Sequence, residues 1–195
     1  MKATVSLAAA VTLAMTAAAA SAQTTGSEVQ RSVDQQQRIE QGLQSGSLNT
    51  HEAAKLEQGE AHVDKLESNA LKDGALSPAE KARIQKAQNA ESRAIYKLKH
   101  DAQLGNPASA SSQRMQKNVQ RDVNQQARVK EGVSSGQLTN REASSLERGQ
   151  ARVDHKEAVA GADGHVGAGE QARVQHAENV QSARIYRKKH NVAEK

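Results

Sequence analysis

The chain has 195 residues, no cysteine, no Phe or Trp and only two tyrosines, and it carries a formal net charge of +5. The lack of cysteine excludes disulfide bonds and thiolate metal sites. So few large apolar side chains predict a helical protein with a thin core and poor walls for a substrate pocket, which disfavours an enzyme.

Residues 1–22 have the features of a secretory signal peptide. Met1-Lys2 is a basic start, an apolar run extends from Val5 to Ala20, and Ala20-Ser21-Ala22 fits a signal-peptidase site. We therefore expect cleavage after Ala22 and a mature protein that is periplasmic or secreted. No later segment approaches the roughly 20 apolar residues of a membrane span, so no transmembrane anchor is predicted.

The rest of the chain contains a duplication without gaps. Residues 27–100 reappear at 117–190 with a constant offset of 90, and 34 of the 74 aligned positions are identical. This repetition predicts a first helical repeat over 23–100 and a second over 117–190. Residues 101–116, which include Gly105-Asn106-Pro107, are predicted to form a linker, and 191–195 a C-terminal tail.

Within each copy, glycines and capping residues predict where helices end and begin. Gly46 and Gly74 are expected in the left-handed conformation that ends a helix. Asn49 and Ser77 then cap the next helix, with Glu52 and Glu80 three residues later completing capping boxes. The second copy repeats the pattern, in a weaker form at its last turn. Helices are therefore predicted over roughly 28–44, 49–70 and 78–100, and at the equivalent positions 90 residues later.

The predicted fold is all-α, with two tandem three-helix units (helix–turn–helix–turn–helix) joined by a flexible linker; long helical hairpins are the alternative geometry. Apolar residues at Leu56, Val63 and Ala70 form a narrow heptad-like seam in the middle helix. Charges interspersed along the alanine-rich helices indicate solvated faces, so the carboxylates are expected at the surface. Gly59 and Gly149 inside the middle helices predict either close packing of another helix or a kink. Because each unit is thin-cored, dimerisation or packing of copy on copy is expected.

The turn at Asp73-Gly74-x-Leu76-Ser77-x-x-Glu80 resembles the second half of an EF-hand loop. In that family a glycine makes the sharp turn and a glutamate six residues later binds calcium through both oxygens. The first half departs from the family, because Asn69 and Leu71 stand where the first and third ligands would be. A turn with a capping box is the competing interpretation. The resemblance implies weak calcium binding by four loop carboxylates: Asp73, Glu80, Asp163 and Glu170.

Two further resemblances are to exported bacterial proteins, one over a segment of about nine residues and one over the whole unit. Leu76-Ser77-Pro78-Ala79-Glu80 and Leu138-Thr139-Asn140-Arg141-Glu142 resemble the Leu-Thr-x-x-Gln signature of small periplasmic stress proteins, which include helical chaperones and zinc-responsive relatives. The duplicated unit also resembles a class of exported bacterial helical repeat proteins to which no activity is assigned. The histidines are expected to be surface residues, with zinc or copper binding through a dimer as the alternative.

The end of each copy is basic and carries its only tyrosine. Cations at a helix C-terminus are explained by the negative end of the helix dipole. The alternative is a site for an envelope anion or a partner. One tyrosine per copy offers too little stacking surface for single-stranded nucleic acid. The residues of this candidate site are Tyr96, Lys97, Lys99, His100, Arg184, Tyr186, Arg187, Lys188, Lys189 and His190.

These features together favour a non-catalytic exported helical protein that binds a protein partner or client, of the stress or chaperone-like kind. No nucleophile stands at a recognisable spacing from a base, and no phosphate-binding glycine loop occurs. The alternative function is weak binding of calcium, zinc or copper at the EF-hand-like loops.

Overall fold

The structure is a computed structural model that describes the backbone of residues 9–191 and the side chains of residues 25–191. Six helices and no strand occur in this part of the chain, which confirms the all-α class. Their bounds are α1 Ala9–Ser45, α2 Thr50–Ala70, α3 Pro78–Lys99, α4 Ala110–Ser134, α5 Asn140–Ala160 and α6 Ala168–Lys189.

The predicted signal peptide and tail fall partly outside the described residues, which exclude 1–8 and 192–195. Helix α1 runs through the predicted cleavage site after Ala22. Cleavage and export therefore stay predictions.

The turns between helices follow the predicted chemistry. Gly46, Gly74, Gly136 and Gly164 all have positive φ, between 73° and 93°. Capping boxes are formed at the predicted starts of α2, α3 and α5, by Asn49, Ser77 and Thr139 with their glutamates. At the start of α6, Gly167 has no side chain to cap with, and only the Glu170 carboxylate accepts the Gly167 N–H, at 2.8 Å.

The segment that joins α3 to α4 is shorter than the linker predicted over 101–116. Helix α4 begins at Ala110 because Ser109 caps it, accepting the Ser112 N–H at 3.1 Å. Before that cap, the Gly105 N–H donates to Gly46 O at 2.8 Å, and Gly105 lies so close to the backbone at Leu48 that a Cβ atom would not fit. The segment between the copies therefore packs against the turn between α1 and α2.

The two copies pack on each other with their helices antiparallel. Helix α1 lies along α4 and α2 along α5, while α3 covers α1 and α2, and α6 covers α4 and α5. The start of α2 meets the end of α5, where His51 Nδ1 lies 2.7 Å from Ala162 O. The start of α5 meets the end of α2, where Ser144 Oγ donates to Ser68 O at 2.6 Å. An approximate two-fold relation thus exchanges the copies.

Helices α1, α2, α4 and α5 form a four-helix layer. Apolar side chains from both copies form one cluster at each end of this layer. The predicted seam residues Leu56, Val63 and Ala70 are all buried. One cluster combines Leu43 and Leu56 with Met115 and Val119. The other combines residues of both copies as well: Val29, Leu71, Val129, Val133, Leu138, Ala143, Leu146 and Ile185. The copies therefore share their core, and packing of copy on copy is confirmed.

Gly59 allows α3 to approach α2 closely, and Gly149 allows α6 to approach α5. A Cβ at Gly59 would overlap the Glu91 carboxylate of α3, and a Cβ at Gly149 would overlap the Gln181 amide of α6. The predicted close packing at both glycines is thus confirmed.

Candidate functional site

Acidic side chains occupy the middle of the four-helix layer, between the two apolar clusters. In α2, acidic residues follow one another at spacings of three, four and three, which places them on one helix face. Helix α5 repeats the pattern with one glutamine. All eight side chains are 2% exposed or less: Glu57, Glu60, Asp64, Glu67, Glu147, Gln150, Asp154 and Glu157.

Six carboxylates form two clusters. The first carboxylate cluster is Glu57 of α2, Asp122 of α4 and Glu157 of α5; the second is Asp64 and Glu67 of α2 with Glu147 of α5. In each, one oxygen from every member lies within 4.8 Å of the others.

The offset of 90 relates Glu57 to Glu147 and Glu67 to Glu157. Each cluster therefore joins a glutamate from the first half of one helix to a glutamate from the second half of its antiparallel partner. Asp122 has Ser32 as its counterpart, and Ser32 Oγ donates to Glu67 Oε1 at 3.2 Å. Neither cluster exists within one copy alone.

Amide side chains satisfy part of this carboxylate surface. Gln36 Nε2 donates to Glu57 at 2.9 Å, and Gln150 Nε2 to Asp122 at 2.6 Å. In the second cluster, Gln126 Nε2 donates to both Asp64 oxygens at 3.1 Å and to Glu147 at 3.2 Å.

The remaining carboxylate surface is not satisfied within the described residues. Both oxygens of Glu60 and both of Glu157 are buried without a hydrogen-bond donor. No Lys, Arg or His in residues 25–191 forms an ion pair with any of the six cluster carboxylates. A buried anion without a partner is strongly unfavourable, so these groups need a proton or a cation.

Burial raises the pKa of the cluster carboxylates. Loss of hydration raises the pKa of Asp122 and that of Glu147 to about 7, although hydrogen bonds to each act in the other direction. For Glu57 and Glu157, burial and then the negative charge of neighbouring carboxylates raise the pKa well above the ordinary value. The pKa values of Asp64 and Glu67 are raised for the same two reasons. The clusters therefore hold protons near neutral pH unless a cation replaces them.

The four loop carboxylates of the EF-hand-like prediction lie elsewhere, at the turns. Asp73 Oδ1 accepts the Ala75 N–H at 3.0 Å, and Asp163 Oδ1 accepts the His165 N–H at 2.8 Å. Glu80 and Glu170 accept backbone N–H groups at the starts of α3 and α6. Within the described part of the chain, none of the four belongs to a group of carboxylates or histidines close enough to share an ion.

The basic ends of α3 and α6 have matching geometry. Tyr96 stacks on His100 with ring centroids 4.3 Å apart, and Tyr186 on His190 at 4.2 Å. Both tyrosines are more than half exposed.

Two of the predicted cations at these ends have partners inside the fold. Lys99 Nζ donates to Arg38 O at 3.2 Å, and Lys189 Nζ pairs with Glu131 at 2.6 Å. Lys97 and the remaining basic residues border solvent, and a cleft of about 510 Å³ is lined by Arg184, Arg187, Lys188, His190 and Asn191.

The expectation that the carboxylates are surface charges is wrong for the middle helices. An acidic residue on an alanine-rich helix faces water only where no other helix packs on it, and here α4 and α5 pack on α2. One signal was available in the sequence: Glu57, Asp64 and Glu67 are identical in both copies and have the spacing of a buried seam. Asp122 could not be found in this way, because its counterpart is Ser32.

No helix in the part of the chain that the structure describes is long and apolar enough to cross a membrane. No protein-family model matches the chain, and neither a curated protein nor a solved structure matches it.

Proposed function

We propose that this is a non-catalytic helical protein that binds hard divalent cations, calcium in particular, at the two buried carboxylate clusters. The observation that supports this most directly is Glu157. It is fully buried, no amide, hydroxyl or backbone N–H donates to either of its oxygens, and it lies against Glu57 and Asp122, with Asp122 close enough to share a proton with it. A cation between the three carboxylates would satisfy all of them at once.

The dimensions of the clusters fit an ion with oxygen ligands. Calcium binds oxygens at about 2.3–2.6 Å, so two ligands on opposite sides of the ion are about 5 Å apart. The cluster oxygens lie within 4.8 Å of one another, which allows an ion to contact all three carboxylates. Neither cluster contains a histidine, and oxygen-only sites favour calcium, magnesium or manganese over zinc and copper. Calcium tolerates irregular geometry best of these ions.

The proposal differs from the loop prediction in the residues that bind. A thermal melt followed by circular dichroism tests it, with chelator-treated protein and with millimolar calcium added back. We expect calcium to raise the melting temperature, and calorimetry to find two ions per chain.

Two matched variants decide between clusters and loops. D73N/D163N removes two of the four loop charges but keeps an oxygen for each turn hydrogen bond, so the calcium response should persist. E57Q/E157Q keeps the shape of the first cluster but removes two charges, so one of the two ions should be lost. That variant should also stabilise the metal-free protein near neutral pH, because a buried glutamine, unlike these glutamates, does not have to take up a proton on folding.

Two results would contradict the proposal. The first is an unchanged melting temperature of the wild-type protein with calcium, manganese and magnesium. The second is loss of the calcium response in D73N/D163N together with its retention in E57Q/E157Q, which would assign the ion to the loops.

A second candidate function is export followed by binding of a protein partner or client at the basic ends of α3 and α6. The observation that favours it is the exposed Tyr–His stack, which is present at the same place in both copies. Aromatic side chains beside cations are typical of interface residues. An aggregation assay with a denatured client tests it, comparing wild type with Y96S/Y186S. Equal aggregation with and without the wild-type protein would refute this candidate.

A further inference from the structure

A cationic groove lies on the outer face of the α2–α5 pair and has no part in the proposed calcium binding. Its volume is about 650 Å³, and its charged walls are formed by Lys65 of α2 and by Arg148, Arg152 and Lys156 of α5. No Asp or Glu lines it. The full set of lining residues adds Gln58, Ala61, His62, Ser68, Asn69, Ala151 and His155.

Small residues form the floor of this groove. Ala61 and Ala151 correspond under the offset of 90, and Ser68 lies one heptad beyond Ala61. Small side chains let two helices approach closely, so the long basic side chains rise as walls on either side. His155 Nδ1 lies 3.2 Å from Gln58 Oε1 and thus links the two walls.

The four cations are exposed and lack partners within residues 25–191. None of Lys65, Arg148, Arg152 and Lys156 forms an ion pair with a described carboxylate. Arg148, Arg152 and Lys156 follow one another at intervals of four on one helix face, and like charges at this spacing destabilise a helix.

The duplication shows that packing does not require these cations. The counterparts of Arg148, Arg152 and Lys156 in α2 are Gln58, His62 and Leu66, and α2 packs in the equivalent place. Three of the four cations are thus additions of the second copy on a shared scaffold, and Lys65 is the contribution of the first copy.

We propose that this groove binds a ligand that carries at least two phosphate groups. Arginine presents planar pairs of N–H donors that match phosphate oxygens. Arg148 to Lys156 spans about 12 Å along the helix, so a single phosphate cannot engage the whole run. No Phe, Tyr or Trp lines the groove, so the small imidazole rings of His62 and His155 are its only aromatic surface for stacking a nucleic-acid base.

Calorimetric titration of the full chain with tripolyphosphate tests this inference, with orthophosphate as the reference ligand that has a single phosphate group. The protein is treated with chelator first, so that the phosphate chain does not compete with the carboxylate clusters for metal. We expect tripolyphosphate to bind at least tenfold more tightly than orthophosphate. Backbone amide resonances of α2 and α5 around Ala61 and Ala151 should shift on binding.

Variants with equal charge change locate the site. R148Q/R152Q should weaken tripolyphosphate binding at least tenfold. R83Q/K86Q removes the same charge from the exposed face of α3, and its affinity should stay within twofold of wild type. Thermal melts of both variants check that folding is unchanged. An equal loss in both, or no binding to wild type, would overturn the proposal.

Vesicle sedimentation distinguishes the source of the phosphates. Binding to vesicles with a bisphosphorylated headgroup, lost in R148Q/R152Q, would support a lipid ligand. Tripolyphosphate binding without vesicle binding would support a free oligophosphate. Binding to phosphatidylserine vesicles without tripolyphosphate binding would overturn the proposal, because general positive charge would explain it.

Discussion

The metal-free protein should become more stable as the pH falls from 6.5 to 5.5. Asp122 and Glu147 have pKa values raised from 3.8 and 4.5 to about 7 in the folded protein. In this window the folded state holds protons that the unfolded state releases. Stability falls with rising pH wherever the folded state binds more protons, so the free energy of unfolding decreases from pH 5.5 to 6.5.

The expected change is large enough to measure. One group that is protonated when folded and ionised when unfolded contributes at most about 1.4 kcal/mol per pH unit. For two groups with pKa values about 7, the sum over this interval is about 2 kcal/mol. For a protein of this size, that corresponds to a melting temperature about 4–8 °C higher at pH 5.5. The other raised carboxylates act in the same direction.

Melts by circular dichroism at both pH values, in chelator and at constant ionic strength, give the slope. D122N/E147Q serves as the control, because it removes both titrating groups while keeping their size, and its slope should be clearly smaller. The Glu131–Lys189 pair has the opposite sign, since the pKa of Glu131 is lowered. It acts below the window, as Glu131 takes up its proton. A wild-type free energy of unfolding that rises from pH 5.5 to 6.5 would refute the assignment of buried protons.

The remaining predictions concern the scaffold. An isolated copy, residues 27–100, should not be a folded monomer, because its carboxylates and apolar seam lose their partner; light scattering and circular dichroism should find an unfolded chain or a dimer. Gly59→Ala should raise the free energy of unfolding by less than the helix-propensity gain of about 1 kcal/mol, because its Cβ overlaps the carboxylate of Glu91 and forces that end of the side chain to move. Gly169→Ala, whose Cβ meets nothing closer than 3.9 Å, is the matched control and should not destabilise the protein. Thr139→Ala should lower the free energy of unfolding, measured with urea, by about 1 kcal/mol, because the N-cap of α5 is lost. An unchanged free energy of unfolding would contradict that role.

The sequence predicts the helices well because their ends are determined locally. A glycine with positive φ and a capping box act within a few residues, so Gly46 and Asn49 can be recognised without knowledge of the fold. Apolar seam positions are recognised equally well, because Leu56 and Val63 have one preferred environment.

The site could not be predicted by the same reasoning because it depends on packing between copies. A glutamate faces water or a buried partner depending on what lies against its helix. Glu57 is buried because α5 and α4 pack on α2 and place Glu157 and Asp122 beside it. Local sequence carries no record of that antiparallel arrangement. The metal site is predicted at the loops because a glycine turn followed by a glutamate is a local pattern that EF-hand loops share. In the structure, the carboxylates of these loops accept backbone N–H groups instead.

The position of the clusters between the copies couples their charge state to the packing of the copies. Glu57 and Glu157 come from different copies, as do Glu67 and Glu147, so repulsion between them pushes the two halves apart. Any proton or cation that neutralises a cluster therefore also holds the copies together. Metal ions compete with protons for carboxylates, so calcium should stabilise the protein more at pH 7.5 than at pH 5.5. If the clusters bind calcium as proposed, acid and calcium should act as alternative stabilisers of the packing between the copies.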